Sequence, residues 1–420
     1  MINEQDTIYS EDKHLGVYIH IPFCASKCGY CDFYSLAGCD GRMNKYQDAL
    51  VRHIQESQNT MAPYYIDTLY FGGGTPSYYG ARRIAAIFNA LKRAGKVLKS
   101  AEVTVECNPD SVKSHDLKLL RKEGVNRISL GVQSASDDLL KIIGRRHNFT
   151  QVKKAVKTIR AAGFNNLSID LIYGLPNQTK GDWAETLAKV LDLEPEHLSC
   201  YGLKLEEGTP MYDTYKNSPV IPTEDDQADM YLYAVETLTH YGYQQYEVSN
   251  FARRGFGCRH NMKYWDMEDY LGFGPGAHSC IGNTRYSYVR DMERYIRGVT
   301  VGEDILDEYE TLEELDRASE YLMLGMRRSR GISQEEYHRV YRSDFAPIEA
   351  LLQEYEKDGW TKKFDGRWCF TPSGFLLSNI LIGSLWEAQA EYRISGNPWI
   401  EDNLDVGVGE LTGSSDMGRN

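Results

Sequence analysis

The sequence lacks long hydrophobic runs. Across its 420 residues no apolar run approaches the roughly 18 residues that a membrane-spanning helix needs, and the longest, such as residues 380–385, are short. The first fifteen residues are polar and charged, without the apolar segment of a secretory signal. These features predict a cytoplasmic protein.

Positively charged residues are also fewer than negatively charged ones. The chain has 47 Lys and Arg against 60 Asp and Glu, which gives a net charge of −13. A surface of this sign repels phosphate backbones, so we expect no nucleic-acid partner. No basic amphipathic helix is visible, so a transient contact with a membrane gains no independent support from the sequence.

Cysteine is present in an odd number, nine, which argues against a disulfide framework and favours reduced thiols or metal ligands. Three of them, Cys24, Cys28 and Cys31, lie within eight residues. The other six are scattered singly, as small buried apolar residues usually are.

Short β-branched runs alternate with amphipathic stretches over the first 200 residues, which predicts βαβ units and a parallel sheet. The predicted strands are 16–21, 66–71, 101–106, 126–132, 167–172 and 197–203. Six such units indicate an α/β fold with a partial (β/α)6 TIM-like barrel.

The second half of the chain changes character. A helix over 223–241 and a strand-like segment over 244–248 precede a Gly-rich stretch, 250–282, that we expect to be irregular. Helices followed by a strand–turn–strand pattern from residue 312 predict a small winged-helix-like domain. We predict four parts: an N-terminal extension (1–15), the barrel (16–300), a C-terminal helical domain (301–385) and a poorly ordered tail (386–420).

The cysteine loop directly follows the first predicted strand. Three thiolates at spacings of four and three residues can reach three corners of one Fe–S cluster and leave one iron open. Structural zinc prefers four closed ligands, and no clear fourth ligand is visible, although Cys39 lies eight residues on. Zinc and three unliganded core cysteines remain as alternatives.

Polar or Gly-rich features follow the other predicted strands, where ligands of a barrel collect. Their members are Gly73, Gly74 and Thr75 after the second strand, Glu106 in the third, Gln133 and Arg145 after the fourth, and Asp170 in the fifth. Glycines let backbone amides approach a charged ligand, and a carboxylate in an apolar strand needs a partner such as a ribose hydroxyl pair. Each residue alone could be structural, but together they predict one pocket.

The Cys-x3-Cys-x2-Cys loop resembles that of the radical S-adenosylmethionine (SAM) superfamily, in which the open iron chelates SAM and one electron from the cluster cleaves its sulfonium. The segments FGGGTPS, VECNPD, GVQS, GRRH and DLIYGLP resemble the oxygen-independent coproporphyrinogen III oxidases and their relatives. The resemblance implies a partial barrel with a C-terminal helical domain. It also implies SAM contacts from Tyr18, Tyr30, Gly73, Gly74, Thr75, Glu106, Gln133, Arg145 and Asp170.

Two departures separate the chain from the oxidases of that family. Phe33 stands where the oxidases have a fourth cysteine, and their extra N-terminal arm is missing. The segment HNMKYW, which begins at His260, is similar instead to the non-oxidase branch, the HemW haem chaperones. A neutral imidazole is a good ligand for haem iron, so we predict His260 as a haem ligand, with a structural role or a place beside the SAM pocket as alternatives.

The resemblance thus implies a haem chaperone that binds a [4Fe–4S] cluster, SAM and haem and passes haem to respiratory haemoproteins, some of them membrane-bound. A cluster-dependent homodimer would fit this family. The alternative is a radical SAM oxidase that acts on a porphyrin; the complete SAM pocket favours it, and Phe33 speaks against it. Whether the protein is an enzyme therefore stays open at this point.

Overall fold

Seventeen β-strands form a large mixed sheet and two small ones in residues 13–394, the part of the chain that the computed structural model describes. In chain order the strands are β1 (Lys13–Ile21), β2 (Phe23–Cys24), β3 (Leu36–Ala37), β4 (Tyr64–Gly73), β5 (Lys96–Cys107), β6 (Arg127–Gln133), β7 (Leu167–Tyr173), β8 (His197–Gly202), β9 (Gln244–Gln245), β10 (Asn250–Ala252), β11 (Tyr270–Phe273), β12 (His278–Ile281), β13 (Thr284–Tyr288), β14 (Leu306–Thr311), β15 (Ile332–Ser333), β16 (Thr361–Phe364) and β17 (Arg367–Phe370).

Helices cover the sheet and build most of the C-terminal unit. They are α1 (Met43–Glu56), α2 (Gln58–Met61), α3 (Pro76–Tyr79), α4 (Ala81–Ala94), α5 (Ser114–Glu123), α6 (Asp137–Ile142), α7 (Phe149–Ala161), α8 (Lys180–Leu191), α9 (Pro210–Tyr215), α10 (Glu224–His240), α11 (Arg259–Trp265), α12 (Met292–Val301), α13 (Glu314–Met326), α14 (Gln334–Tyr341), α15 (Ala346–Lys357), α16 (Pro372–Leu376) and α17 (Ser378–Ile394), with a short 3-10 helix at Asp40–Arg42.

The large sheet has twelve strands in the order β14-β13-β12-β11-β1-β4-β5-β6-β7-β8-β10-β9. Its centre is parallel from β11 through β1, β4, β5, β6 and β7 to β8, and its two flanks are antiparallel. The six predicted strands coincide with β1 and β4 to β8, which confirms the predicted α/β class. The order begins at β14 and ends at β9, so the sheet is an open, partial barrel.

Local signals explain why these elements form. Apolar side chains of β1 such as Val17 and Ile19 are fully buried, while α1 and α4 turn one apolar stripe inward. The helix α10 begins after Thr223, whose hydroxyl accepts from the Asp226 backbone N–H in a capping box. Because the central strands are parallel, their carboxyl ends meet at one edge of the sheet, where a site can form.

The Gly-rich stretch 250–282 is more regular than predicted. It contains β10, α11, β11 and β12, and β11 extends the parallel sheet by pairing with β1, with Gly16 opposite Tyr270. The strand expected over 244–248 shortens to β9. These elements are only two to seven residues long, and two of them form by pairing with strands far away in the sequence: β10 with β8 and β11 with β1.

The C-terminal unit combines α13 to α17 with the three-stranded sheet β15-β17-β16, as in a winged helix. Backbone hydrogen bonds from Val248 N to Arg327 O (2.9 Å) and from Ser329 N to Tyr246 O (3.0 Å) attach it to the sheet domain. The strand β14 pairs with β13, so the large sheet continues past the boundary predicted at residue 300.

The tail predicted over residues 386–420 overlaps a helix at its start. The helix α17 runs through Leu385 to Ile394, and the remainder of that tail lies outside the described residues. The predicted N-terminal extension also lies largely outside them, and β1 begins at Lys13. Within residues 13–394, no helix combines the length and apolar character that crossing a bilayer requires.

Candidate functional site

A cavity of about 370 Å³ opens at the carboxyl ends of the parallel strands. All three motif cysteines, Cys24, Cys28 and Cys31, line it. Eight further residues that the sequence singled out line the same cavity: Tyr30, Gly73, Gly74, Thr75, Glu106, Gln133, Arg145 and Asp170. The structure thus brings together residues spread over about 150 positions of the chain, as the strand-end argument predicts.

The cysteine loop is held by short parallel pairing and by two backbone contacts. Phe23 pairs with Leu36, which closes the loop, while Gly29 N donates to Ile143 O (3.3 Å) and Gly29 O accepts from Met211 N (2.9 Å). The loop is therefore anchored at its base and at its middle, and its thiols face the cavity.

The donor set fits an iron–sulfur cluster. Burial raises the pKa of Cys24 and of Cys31, so both are thiols until a metal displaces their protons. Among the described residues, no three His, Cys, Asp or Glu side chains are close enough to share a single ion. Thiolates that bind different irons of a cluster lie farther apart than ligands of one ion, so three thiols that line one cavity are compatible with a cluster.

A hydrogen-bonded chain links two of the cysteines. Thr75 Oγ1 lies 3.4 Å from Cys24 Sγ and accepts from Asn108 Nδ2 (3.1 Å). Asn108 Oδ1 accepts from Arg145 Nη2 (2.8 Å), and Arg145 Nη1 lies 3.7 Å from Cys28 Sγ. A cation and a hydroxyl near sulfur stabilise bound thiolates, so this chain orients two ligands of one site.

The Gly-rich loop uses its backbone amides within the protein. Gly73 N donates to Glu106 Oε2 (3.1 Å), and the N–H groups of Gly74 and Thr75 donate to carbonyls in 21–23 (2.8 Å each). The expectation that these amides approach a charged ligand is therefore wrong for this conformation, because all three donors are already satisfied. What the loop can offer a ligand amine is carbonyl oxygen.

Gly74 lies so close to the cysteine loop that no side chain fits. A Cβ there would lie 2.7 Å from Ile21 O and 2.9 Å from Phe23 O, both backbone atoms. We expect Gly74→Ala to lower the free energy of unfolding by about 1–3 kcal/mol, measured by denaturant titration. Gly383→Ala, with open space around its Cβ and a place inside α17, is the control and should raise the free energy of unfolding by about 0.5–1 kcal/mol, because alanine favours a helix. Equal stabilities of the two variants would contradict the crowding at Gly74.

Glu106 is the carboxylate of the third predicted strand, now β5. It accepts from Tyr70 OH (2.8 Å) and from Gly73 N (3.1 Å). Burial is the main cause that raises the pKa of Glu106 to about 7, against its ordinary value of 4.5. Two hydrogen bonds leave lone pairs free, so the carboxylate can still accept from a ligand hydroxyl.

Asp170 lies on β7, which β6 separates from β5, and it is held by serines. Its oxygens accept from Ser129 Oγ and Ser199 Oγ at 2.8 Å each. Burial raises the pKa of Asp170 although these hydroxyls favour the charged form. The strand β7 thus contributes a fixed acceptor to the cavity.

Gln133 ends β6 in an unusual conformation. Its φ of 67° is left-handed, and the pairing of β6 with β7 shifts register between Gly131 and Gln133. A Cβ on Gly131 would lie 2.9 Å from Gln133 Nε2 and 3.0 Å from Arg145 Nη2. The bulge therefore directs the Gln133 amide towards the cavity and leaves the space beside it to two polar side chains.

Tyr18 and His260, in contrast, lie behind the cavity wall. Tyr18 OH bonds to His20 Nδ1 (3.1 Å), and the Tyr18 and His260 rings stack on Tyr70. Tyr18 does not line the cavity and its hydroxyl is bonded to His20, so the direct SAM contact implied for Tyr18 stays a prediction.

Both ring nitrogens of His260 are hydrogen-bonded within the protein. It is 1% exposed; Nδ1 bonds to Thr68 Oγ1 (2.9 Å) and Nε2 bonds to Tyr264 OH (2.8 Å). Burial, aided by nearby Lys263, lowers the pKa of His260 to about 3, so the ring is neutral. Haem ligation by His260, as predicted, would break a buried hydrogen bond, and the geometry favours the alternative of a structural residue beside the pocket.

Several cavity residues escaped the sequence argument. Asn108 stands two positions after Glu106, so the strand-end logic could have found it. Arg127, His197 and Asn261 also line the cavity, although none of them lies at the carboxyl end of a strand. Arg127 is 2% exposed and its Nε has no hydrogen-bond partner among the described residues. The register of the sheet places Arg127 and His197 on the cavity, and the packing of α11 places Asn261 there.

Comparison with known proteins agrees with this geometry. Residues 18–190 match the radical SAM superfamily, and residues 312–377 match the HemN C-terminal domain. The heme chaperone HemW of Lactococcus lactis is 35% identical over 337 residues, which cover 80% of this chain and 87% of that protein. The heme chaperone HemW of Bacillus subtilis is 34% identical over 376 residues, which cover 88% and 98%.

A solved structure shares the architecture. The coproporphyrinogen III oxidase HemN of Escherichia coli, described as a radical SAM enzyme, aligns with a TM-score of 0.78 over 90% of this chain and 91% of that chain. At 24% sequence identity this likeness concerns the fold alone. The sequence identities to HemW proteins over most of both chains go further: the chain belongs to the HemW family of the radical SAM superfamily.

Proposed function

We propose that this protein is a haem chaperone that holds a [4Fe–4S] cluster and SAM and delivers haem to other proteins. The observation that carries the proposal is the single cavity that the three cysteines share with Glu106 and Asp170, at the carboxyl ends of the parallel strands. The relatives that match most of the chain are named heme chaperones.

We assign different roles to the residues of the cavity. Cys24, Cys28 and Cys31 would hold three irons, and the chain from Thr75 to Arg145 would orient the ligating sulfurs. With cluster and SAM bound, the site would have the components for one-electron reductive cleavage of the sulfonium.

The remaining polar groups would position SAM. Glu106 would accept hydrogen bonds from its ribose, and the Gly-rich loop would offer carbonyl oxygen to its amino group. Gln133, Asp170 and Tyr30 would complete the contacts around it.

Phe33 supports the chaperone over a porphyrin oxidase. It lines the cavity and is 64% exposed, at the position where the oxidases carry a fourth cysteine. A phenyl ring can neither ligate a metal nor exchange a proton, so any oxidase step that needs that thiol is lost. The alternative function, oxidation of a porphyrin, keeps only the SAM cavity in its favour.

Two measurements on the anaerobically reconstituted protein test the proposal. Haem added to the wild type should shift its Soret band and bind with about one equivalent per chain. Coproporphyrinogen III with SAM and a reductant should stay unconverted, whereas a coproporphyrinogen oxidase run in parallel should convert it. Formation of protoporphyrinogen by this protein would reverse the choice between the two functions.

Other properties stay predictions. They are the delivery of haem to respiratory haemoproteins, a cytoplasmic location with transient contact to membrane-bound recipients, and a homodimer that depends on the cluster. Mixing the haem-loaded protein with a haem-free respiratory haemoprotein, followed by separation and absorbance spectra, tests the first. Haem that stays with this chain after mixing would count against delivery to that recipient.

A further inference from the structure

A second depression, an open groove of about 1330 Å³, lies between the sheet domain and the C-terminal unit. Tyr246 and Met262 line it on the sheet side, and His338, Arg339 and Phe364 line it on the C-terminal side. Small-molecule sites usually measure about 300–1,000 Å³. The cavity of about 370 Å³ falls in that range, whereas the open groove is larger than that range.

His338 is a histidine with a free ring in this groove. It is half-buried in the last turn of α14, and its ring forms no hydrogen bond within residues 13–394. In His197 and His260 both ring nitrogens are bonded to protein. His240 and His278 are exposed and line neither cavity. A neutral imidazole with a free nitrogen is what haem iron takes as an axial ligand.

The neighbours of His338 complement the rest of a haem molecule. Arg339 is exposed and, among the described residues, forms no ion pair, so its guanidinium can bind a propionate. Phe364, at the end of β16, is 75% exposed and can cover part of the porphyrin face. An imidazole, a cation and an aromatic ring thus lie along one groove.

The helix α11 separates this groove from the SAM cavity. On it Met262 lines the groove, Asn261 lines the cavity, and His260 is buried. Tyr246 lines the groove, and its hydroxyl bonds to Nε2 of His197, which lines the cavity (2.7 Å). The segment that the sequence assigned to haem ligation therefore forms the wall between two sites.

We propose that haem docks in this groove, with His338 as axial ligand, Arg339 paired with a propionate and Phe364 against the ring. The proposal rests on the proposed haem-chaperone function and names the haem site for it. The wall formed by α11 and by the Tyr246–His197 pair then places haem next to, and outside, the cluster and SAM cavity.

Haem titration of the full-length, cluster-loaded protein tests the groove. Difference absorbance spectra give the affinity, and electron paramagnetic resonance of the ferric form reports the axial ligand. We expect His338→Ala to weaken haem binding at least tenfold and to lose the histidine-ligated signal, and added imidazole to restore that signal. Arg339→Ala should weaken binding about threefold or more without changing ligation. His240→Ala is the matched control and should behave like the wild type.

Three other outcomes would each overturn either the groove assignment or the proposed function. If His338→Ala binds haem with wild-type affinity and spectrum, the groove assignment is wrong while the chaperone function stands. Loss of the signal in His260→Ala, with His338→Ala unaffected, would return the ligand to His260 and overturn the groove. If the wild type binds no haem at all, the proposed function itself fails.

Discussion

Replacing Cys28 by serine is expected to reduce the iron content of the anaerobically reconstituted protein from about four to below one per chain, with loss of the absorbance band at ~400 nm. Cys28 Sγ lines the cavity and lies 3.7 Å from Arg145 Nη1, at the end of the hydrogen-bonded chain. Three thiolates are the fewest that hold a cluster with one open iron, and a hydroxyl does not replace thiolate for iron of this kind. Iron analysis and absorbance spectra measure the loss.

Cys39→Ser is the control for that experiment. The sequence left Cys39 open as a fourth ligand, but its Sγ contacts Ala37 O (3.6 Å) and it does not line the cavity. We expect this variant to keep the full iron content. Loss of the cluster in Cys39→Ser would contradict the three-cysteine site, and four irons retained in Cys28→Ser would show that Cys28 is not a ligand.

Substitution of Glu106 by glutamine is expected to weaken SAM binding by at least tenfold at pH 8, measured by isothermal titration under anaerobic conditions. The carboxylate accepts from two protein donors and would accept from the ribose, and an amide has fewer acceptor sites. Because the pKa of Glu106 is about 7, the wild-type affinity should also fall about tenfold between pH 8 and pH 6, as the acceptor becomes protonated. In Glu106→Gln this pH dependence should vanish.

Glu247 offers a matched control. Burial raises its pKa to about 7 as well, but Glu247 bonds to Ser249 N (3.1 Å) and does not line the cavity. Glu247→Gln should keep wild-type SAM affinity and its fall below pH 7. A pH dependence that survives in Glu106→Gln, or disappears in Glu247→Gln, would assign the titration to another group.

The same two pKa values govern the stability of the ligand-free protein. A carboxyl whose folded pKa exceeds its unfolded value favours folding fully below the unfolded pKa, and this contribution is lost as pH rises through the folded pKa. The free energy of unfolding should therefore fall between about pH 4.5 and pH 7 because of Glu106 and Glu247. Either glutamine variant should flatten that fall by part of its size, measured by denaturant titration.

The local sequence pattern was sufficient to predict the central strands and most of the residues that line the cavity. Each of β1 and β4 to β8 is an apolar run bounded by turn residues, so neighbours in the sequence specify it. Parallel strands bring their carboxyl ends to one edge, which is why the positions of Glu106, Gln133 and Asp170 along the chain suffice to place them together. The sequence placed the Gly-rich loop at the cavity, and the loop lines it. Which acceptors its backbone amides meet depends on the neighbouring strands.

Local pattern failed where partners lie far apart in the chain. The strand β11 forms only because β1, more than 240 residues earlier, offers an unpaired edge. The sequence predicts an irregular stretch around His260, yet this residue lies in the helix α11, which turns its imidazole onto Tyr70 and between Thr68 and Tyr264. A sequence does not state which face of a seven-residue helix will be covered.

The sequence by itself determined the α/β class, the C-terminal helical unit and the cysteine loop with its strand-end partners, because these follow from hydrophobic periodicity and from chemistry at short spacing. Only the tertiary structure decided that Tyr18 and His260 lie behind the cavity wall and that Arg127, His197 and Asn261 lie on it. It also decided that His338 shares a groove with Met262. These placements depend on strand register and on the packing of two distant units, which are set by contacts between residues that the chain order keeps apart.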